Sequence, residues 1–322
     1  MLLRAFASLS LFAALSAAAQ QPLTADEIMQ RVATNQDAAA AMRTHFVYTQ
    51  HARTISRKGK TIRCEETTDY RITPTATGSD KQLLKLDGRV FYKGKYIAYD
   101  SLKGPADIRP TNYDDKDDAS LLHAREALKK ADDDTETDRN LVENMRDGLT
   151  SDKKSRDGVS ANLFPLTSKE QKDMIFHLLG HELKNGRDTF HIHFEPKDKD
   201  DIGWKGDAWI DVNEFQPVVI QTALSRQLPF AVRGLLGTNL PGLGFTATYA
   251  PQPSANAPGA VWFPESFGTE FKIKLLFVFS REIILSVANR DFEQTHTGAR
   301  IVEVDGATTS IDVPKTVETP KP

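Results

Sequence analysis

The spacing of hydrophobic and polar residues changes period twice along the chain. Thr24-Ala25-Asp26-Glu27 has the form of a capping box, and Leu23 and Ile28 stand where a hydrophobic staple needs them. Ile28, Val32, Ala39 and Met42 then recur at helical spacing to about Arg43, which predicts one amphipathic helix. From Phe46 the period falls to two. Runs at Val47–His51 and Thr61–Cys64 flank the turn Arg57-Lys58-Gly59-Lys60. Asp87-Gly88 and Lys93-Gly94 punctuate the short runs Leu83–Leu86 and Arg89–Tyr92, so hairpins are expected. About half of residues 114–157 are charged, and Leu121, Leu122, Leu128, Leu141, Val142 and Met145 offer only short apolar stripes. One or two surface helices with solvated joints are predicted there. Strands resume near Met174. Asn185-Gly186 is a strong hairpin signal, Asp207–Asp211 and Gln216–Ile220 flank another turn, and Thr246–Ala250, Val261–Phe267 and Phe271–Val287 continue the pattern. The last run is long enough to bend or bulge. Strands that follow strands, with little helix between them, predict a single antiparallel sheet in an α+β chain.

The first nineteen residues fit neither period. A cationic start at Arg4, a small apolar core over Ala5–Ser16 and Ala17-Ala18-Ala19 before Gln20 make up the three parts of a secretory signal peptide. The expected organisation is therefore a signal peptide at 1–19, one domain at 20–300 with the charged insert 114–157, and a flexible tail at 301–322. The expected location is the periplasm or the exterior. No cysteine follows Ala19 to carry a lipid, and the lone Cys64 cannot form an intrachain disulfide. The chain of 322 residues holds 41 Lys and Arg against 44 Asp and Glu, a formal charge of −3, which excludes a dedicated nucleic-acid binder.

Four histidines, His177, His181, His191 and His193, lie close together and raise the possibility of a metal site or a His-dependent metal hydrolase. A two-residue hairpin at Asn185-Gly186 pairs Lys184 with Arg187, His181 with Phe190 and Leu179 with Ile192. In that register His177 and His181 share a face with Phe190, Ile192 and Phe194, and His191 and His193 take the other. Four ligands divided between two faces cannot enclose one ion; a two-histidine site stays open as the alternative, and the expectation is no metal and no cofactor. Hydrolase signatures are missing, and Asp198–Gly203 begins like a calcium loop but places Trp209 where the bidentate Glu belongs. Gly234–Gly244 is glycine-rich without the Lys-Ser or Lys-Thr of a phosphate loop, and its neighbours are apolar. Phe190, Ile192 and Phe194 form one apolar face, flanked by Trp209. Phe271, Ile273, Leu275, Phe277 and Phe279 form a second. One helix plus a poor helical insert is little material to cover so much apolar sheet, so a ligand-filled cleft competes with a packed core.

The order of these elements resembles the periplasmic lipoprotein-carrier superfamily, the outer-membrane lipoprotein-sorting proteins. The resemblance is carried by Ala25-Asp26-Glu27-Ile28, Tyr48-Thr49-Gln50, Leu183–Arg187, Phe194-Glu195-Pro196, Ala208–Asp211, Phe215–Val218, Val261–Pro264 and Phe279–Glu282. It implies an unclosed antiparallel β-barrel, a curved sheet with helices as a lid, that carries acyl chains without covalent chemistry. The expectation is thus a non-enzymatic monomer that binds a lipid-like or acylated ligand and makes a transient contact with a membrane or an envelope protein. Phe190, Ile192, Phe194, Trp209, Phe271 and Ile273 are its expected lining. The rival from another class is an envelope structural or interaction protein with a filled core.

Overall fold

The computed structural model describes residues 22–75, 78–102, 104, 118–150, 164–199, 203–226, 238–239, 243–254, 259–275 and 279–295. The expected signal peptide, the tail and most of the glycine-rich segment lie outside the described residues. Helix α1 (Ala25–Arg43) starts as its sequence predicts. The Thr24 hydroxyl accepts from the Glu27 amide at 3.3 Å, and the Glu27 carboxylate accepts from the Thr24 amide at 2.8 Å. Ile28, Met29, Val32, Ala33, Gln36, Ala39 and Arg43 form its buried stripe.

Strands β1 (Phe46–Lys58), β2 (Thr61–Pro74), β3 (Ser79–Tyr92) and β4 (Lys95–Tyr99) come next, then helix α2 (Asp118–Thr150). The second series is β5 (Met174–Lys184), β6 (Arg187–Pro196), β7 (Trp204–Asp211), β8 (Pro217–Leu224), the two-residue β9 (Thr238–Asn239), β10 (Gly244–Gln252), β11 (Val261–Leu275) and β12 (Phe279–Gln294). The sheet runs β4-β3-β2-β1-β12-β11-β10-β8-β7-β6-β5, with β9 beside β11, and each pairing is antiparallel. Its edges β4 and β5 do not pair, so the barrel is unclosed. Two meanders meet at the β1–β12 seam, and α2 belongs to the connection that leads from one edge to the other.

Local chemistry explains the turns. Lys93-Gly94 and Asn185-Gly186 both take positive φ (46° and 81°, 50° and 76°), the requirement of a tight two-residue hairpin. Three expectations need correction. Asp87-Gly88 is not a turn, because β3 runs straight through it. Gly88 lies under the Tyr99 ring, and a Cβ there would stand 2.2 Å from Tyr99 Cε2, so the glycine provides clearance rather than a bend. The run 271–287 is not one bent strand but parts of β11 and β12, which pair with each other from Ser266–Ala288 to Leu275–Phe279. Among the described residues the insert is one helix of 33 residues, within the one or two expected, but several of its charges are buried and not on the surface. Among the described residues no helix is long and apolar enough to cross a membrane.

Candidate functional site

One row of paired residues shows that the apolar positions share a face. Leu178, Ile192, Ala208, Ile220, Ala247, Phe267, Val287, Ala52, Thr68 and Leu86 lie opposite one another from β5 to β3. Residues directly opposite in a sheet project to the same side. Both helices pack on this side, and its character changes along the row.

On the β5–β8 half the cover is apolar. Phe190, Ile192 and Phe194 are buried with Ala208, Ile210 and Ile220, and Ile28, Met29 and Val32 of α1 belong to the same cluster. Phe190 also stacks on Phe215, and Phe245 stacks on Phe267 with centroids 5.4 Å apart. Arg43, at the end of α1, is buried. Its Nε donates to the Trp262 carbonyl at 2.7 Å, and an Nη donates to Gln36 Oε1 at 2.8 Å.

On the other half the cover is ionic. Thr135, Asp138, Arg139, Val142 and Arg146 make up the buried stripe of α2, and Val142 is the one buried hydrophobic residue among its described side chains. Asp138 accepts from Arg281 at 2.6 and 3.0 Å and from the Ser56 hydroxyl at 2.9 Å, with Arg63 at 3.5 Å. Arg146 pairs with Glu66, which also accepts from the Tyr99 hydroxyl at 2.7 Å. Tyr99 in turn contacts Cys64 Sγ at 3.3 Å. Burial pushes the Cys64 thiol up to about 12, so it is an inert packing group. Burial also raises the Asp138 carboxyl, but its bonds to Arg281 and Ser56 and the charge of Arg63 outweigh this and hold it below its ordinary 3.8.

A group lowered in the fold contributes stability above its unfolded value and loses it as pH falls through the folded one. The contribution of Asp138 to α2 docking is therefore fully present above about pH 3.8 and lost below it. Hydrogen exchange of α2 amides is expected to accelerate in Asp138→Asn at pH 7. Exchange as slow as in the parent chain would contradict this role.

Between the halves lies a third cluster. Phe271, Ile273 and Ile283 are buried, with Leu141 and Met145 of α2 and Leu243 only partly buried against them. The expected lining is thus divided. Phe271 and Ile273 stand together here, and Phe190, Ile192 and Phe194 stand under α1. Trp209 is buried and belongs to the first cluster, but it pairs with His191 and so projects from the opposite, outer face. There it stacks on His191 at 4.7 Å, its indole N–H donates to Glu182, and Lys184 Nζ lies 3.5 Å from its ring centroid.

The histidines also depart from the expected register. Lys184 pairs with Arg187 and His181 with Phe190, as read from the sequence. A bulge between Leu178 and Gly180 then sets Leu178, not Leu179, opposite Ile192. His177 therefore stands opposite His193 on the outer face, and only His181 shares the face of Phe190. Among the described residues, no group of three or more His, Cys, Asp or Glu side chains is placed so that it could hold a metal ion.

A mixed groove of about 450 Å³ lies outside the sheet interior, lined by Glu27, Gln30, Arg31, Thr34, Asn35 and Phe215. Its polar rim, with Arg31 over the Phe215 ring, does not suit an acyl chain.

No family model and no curated protein matches the chain. Similar solved structures include a LolA superfamily protein from Nitrosomonas europaea, 13% identical over 86% of this chain and 95% of that one, with a TM-score of 0.33. An outer membrane lipoprotein-sorting protein domain from Vibrio parahaemolyticus is 10% identical over 85% and 95%, with a TM-score of 0.34. A DUF1329 family protein from Desulfovibrio piger is 9% identical over 87% and 96%, with a TM-score of 0.35.

Proposed function

We propose that the chain is an exported, non-catalytic binding protein that takes a lipid-like or acyl-chain ligand on the helix-bearing face of its sheet, beneath α2. Such a protein would act in lipid or lipoprotein transport across the periplasm. The observation that carries this reading is the contrast between the two helices. Helix α1 is sealed by aliphatic packing, but α2 is held by Asp138 and Arg146 over a polar floor of Ser56 and Glu66. Little described apolar surface is lost when such a helix lifts, and Phe271, Ile273 and Ile283 lie at its border. Each methylene buried on that strip would contribute ~0.8 kcal/mol, so one acyl chain supplies useful affinity.

Titration with a fluorescent fatty acid tests the reading. Saturable binding is expected, weakened about tenfold by the double substitution Phe271→Ala with Ile273→Ala and left unchanged by Phe194→Ala. Non-saturable uptake, or equal loss in both variants, would count against it. The second reading, an envelope interaction protein with a filled core, is favoured by one observation: Ile192, Phe194 and Ile28 are completely buried by the chain's own side groups. That reading predicts no saturable uptake.

A further inference from the structure

The lysines at one end of the sheet carry a conclusion about what the chain meets there. The β1–β2 turn (Lys58-Gly59-Lys60-Thr61) and the β3–β4 turn (Tyr92-Lys93-Gly94-Lys95) emerge side by side. The Tyr96 hydroxyl donates to the Ile62 carbonyl at 3.4 Å, and the Arg63 guanidinium lies 5.3 Å from the centroid of the Phe91 ring. The end of β11 stands on the far side of β1, since Lys272 and Arg57 both pair with Glu282 of β12. Residues 57–63, 89–96 and 272–274 hold nine Lys and Arg and no Asp or Glu, in a chain whose formal charge is −3.

The next row of outer-face cations is neutralised within the fold. Arg53 and Arg89 share Glu65, and Arg57 holds Glu282 and Glu270. At the turns themselves Lys58, Lys60, Lys93 and Lys95 are exposed, and among the described residues no acidic side chain stands within ion-pair distance of them. Like charges crowded in this way repel one another, and an anionic surface outside the chain is what neutralises them. Aromatic rings interleave with the lysines. Tyr96 is 45% exposed, and Lys93 Nζ lies 5.0 Å from the centroid of the Tyr92 ring. Lysine stems and tyrosine rings both place an apolar body beside a polar tip, which suits the headgroup layer of a bilayer better than it suits an acidic protein.

We propose that this end of the sheet docks on the surface of an anionic phospholipid bilayer, with Lys58, Lys60, Lys93 and Lys95 against the phosphates and Tyr96 among the headgroups. Phe271 and Ile273 are buried and alternate with the exposed Lys272 and Lys274 along this end of β11, so docking turns the end of the acyl-binding strip toward the bilayer. Only that use of the surface rests on the lipid reading; the docking itself does not.

Co-sedimentation with vesicles of equal parts phosphatidylglycerol and phosphatidylcholine tests the proposal. Binding is expected at low ionic strength, falling steeply as salt is added, with little to phosphatidylcholine alone. The combined substitution Lys58→Gln, Lys60→Gln, Lys93→Gln and Lys95→Gln should weaken it at least about a hundredfold, since each basic residue near such a surface contributes about fivefold. Lys169→Gln, Lys172→Gln, Lys199→Gln and Lys205→Gln together make the same change in net charge at exposed positions around β5–β7, and should leave most of the binding. Circular dichroism checks that both variants fold. No binding to the anionic vesicles, or equal loss in the two variants, overturns the proposal. So does binding to polyglutamate without binding to vesicles, which would make the partner an acidic protein. Fatty-acid titration keeps the two claims apart. The turn variant should take up fatty acid as the parent does, and a parent that binds vesicles but takes up no fatty acid counts against the lipid reading alone.

Discussion

Arg146→Ala is expected to cost about 3–5 kcal/mol at pH 7, because it strands the buried Glu66 carboxylate without its cation. Burial already pushes Glu66 up from its ordinary 4.5, and the Arg146 charge and the Tyr99 hydroxyl oppose that rise without cancelling it. Without Arg146 the rise must grow. A carboxyl raised in the fold contributes stability that is fully present below its unfolded value and lost as pH rises through its folded value. The deficit of Arg146→Ala should therefore shrink as pH falls from 7 toward about 4.5. The double substitution Arg146→Met with Glu66→Leu should recover most of the loss, since an apolar pair of similar volume replaces the ions at little net cost. Urea unfolding at several pH values, followed with hydrogen exchange of α2, measures both effects. A deficit below about 1 kcal/mol at pH 7 would mean that the pair does not hold α2 to the sheet.

Phe194→Ala should cost a similar amount, about 3–5 kcal/mol, by another route. Its ring is completely buried, it pairs with Phe176 on β5 and Gly206 on β7, and it belongs to the cluster that α1 seals. Deleting it leaves a cavity that the surrounding strands cannot collapse to fill. The loss should be independent of pH between 5 and 8, in contrast to that of Arg146→Ala, because no titrating group is stranded. A pH-dependent loss in Phe194→Ala would show that the two halves of the sheet do not unfold for separate reasons.

What the sequence reveals follows the range of the interaction concerned. The start of α1 and the hairpins at Lys93-Gly94 and Asn185-Gly186 are legible because neighbouring residues determine them, through a capping box and paired positive φ. The buried stripe of α2 is not legible. Asp138, Arg139 and Arg146 read as part of a charged surface helix until Ser56, Glu66 and Arg281 are known to lie beneath them, and those partners come from three distant strands. One signal was available, since Glu66 occupies an inward position in the alternation of β2. Gly88 reads as a turn because the ring that needs its missing side chain arrives only with β4. The face of Trp209 depends on the β6–β7 register, and that of His177 on a one-residue bulge, and alternation on a single strand determines neither. Phe271 and Ile273 were legible as inward residues, but not their separation from Phe190, Ile192 and Phe194 into another cluster.

The most direct measurement is mass spectrometry of an organic-solvent extract of the protein purified from its native host without detergent. Carriage beneath α2 predicts an acyl-bearing molecule recovered at close to one per chain, and its loss from protein carrying the Phe271→Ala and Ile273→Ala substitutions. An extract free of lipid, from protein whose fold is intact, would mean that side chains alone fill the sheet interior and that the chain carries nothing there.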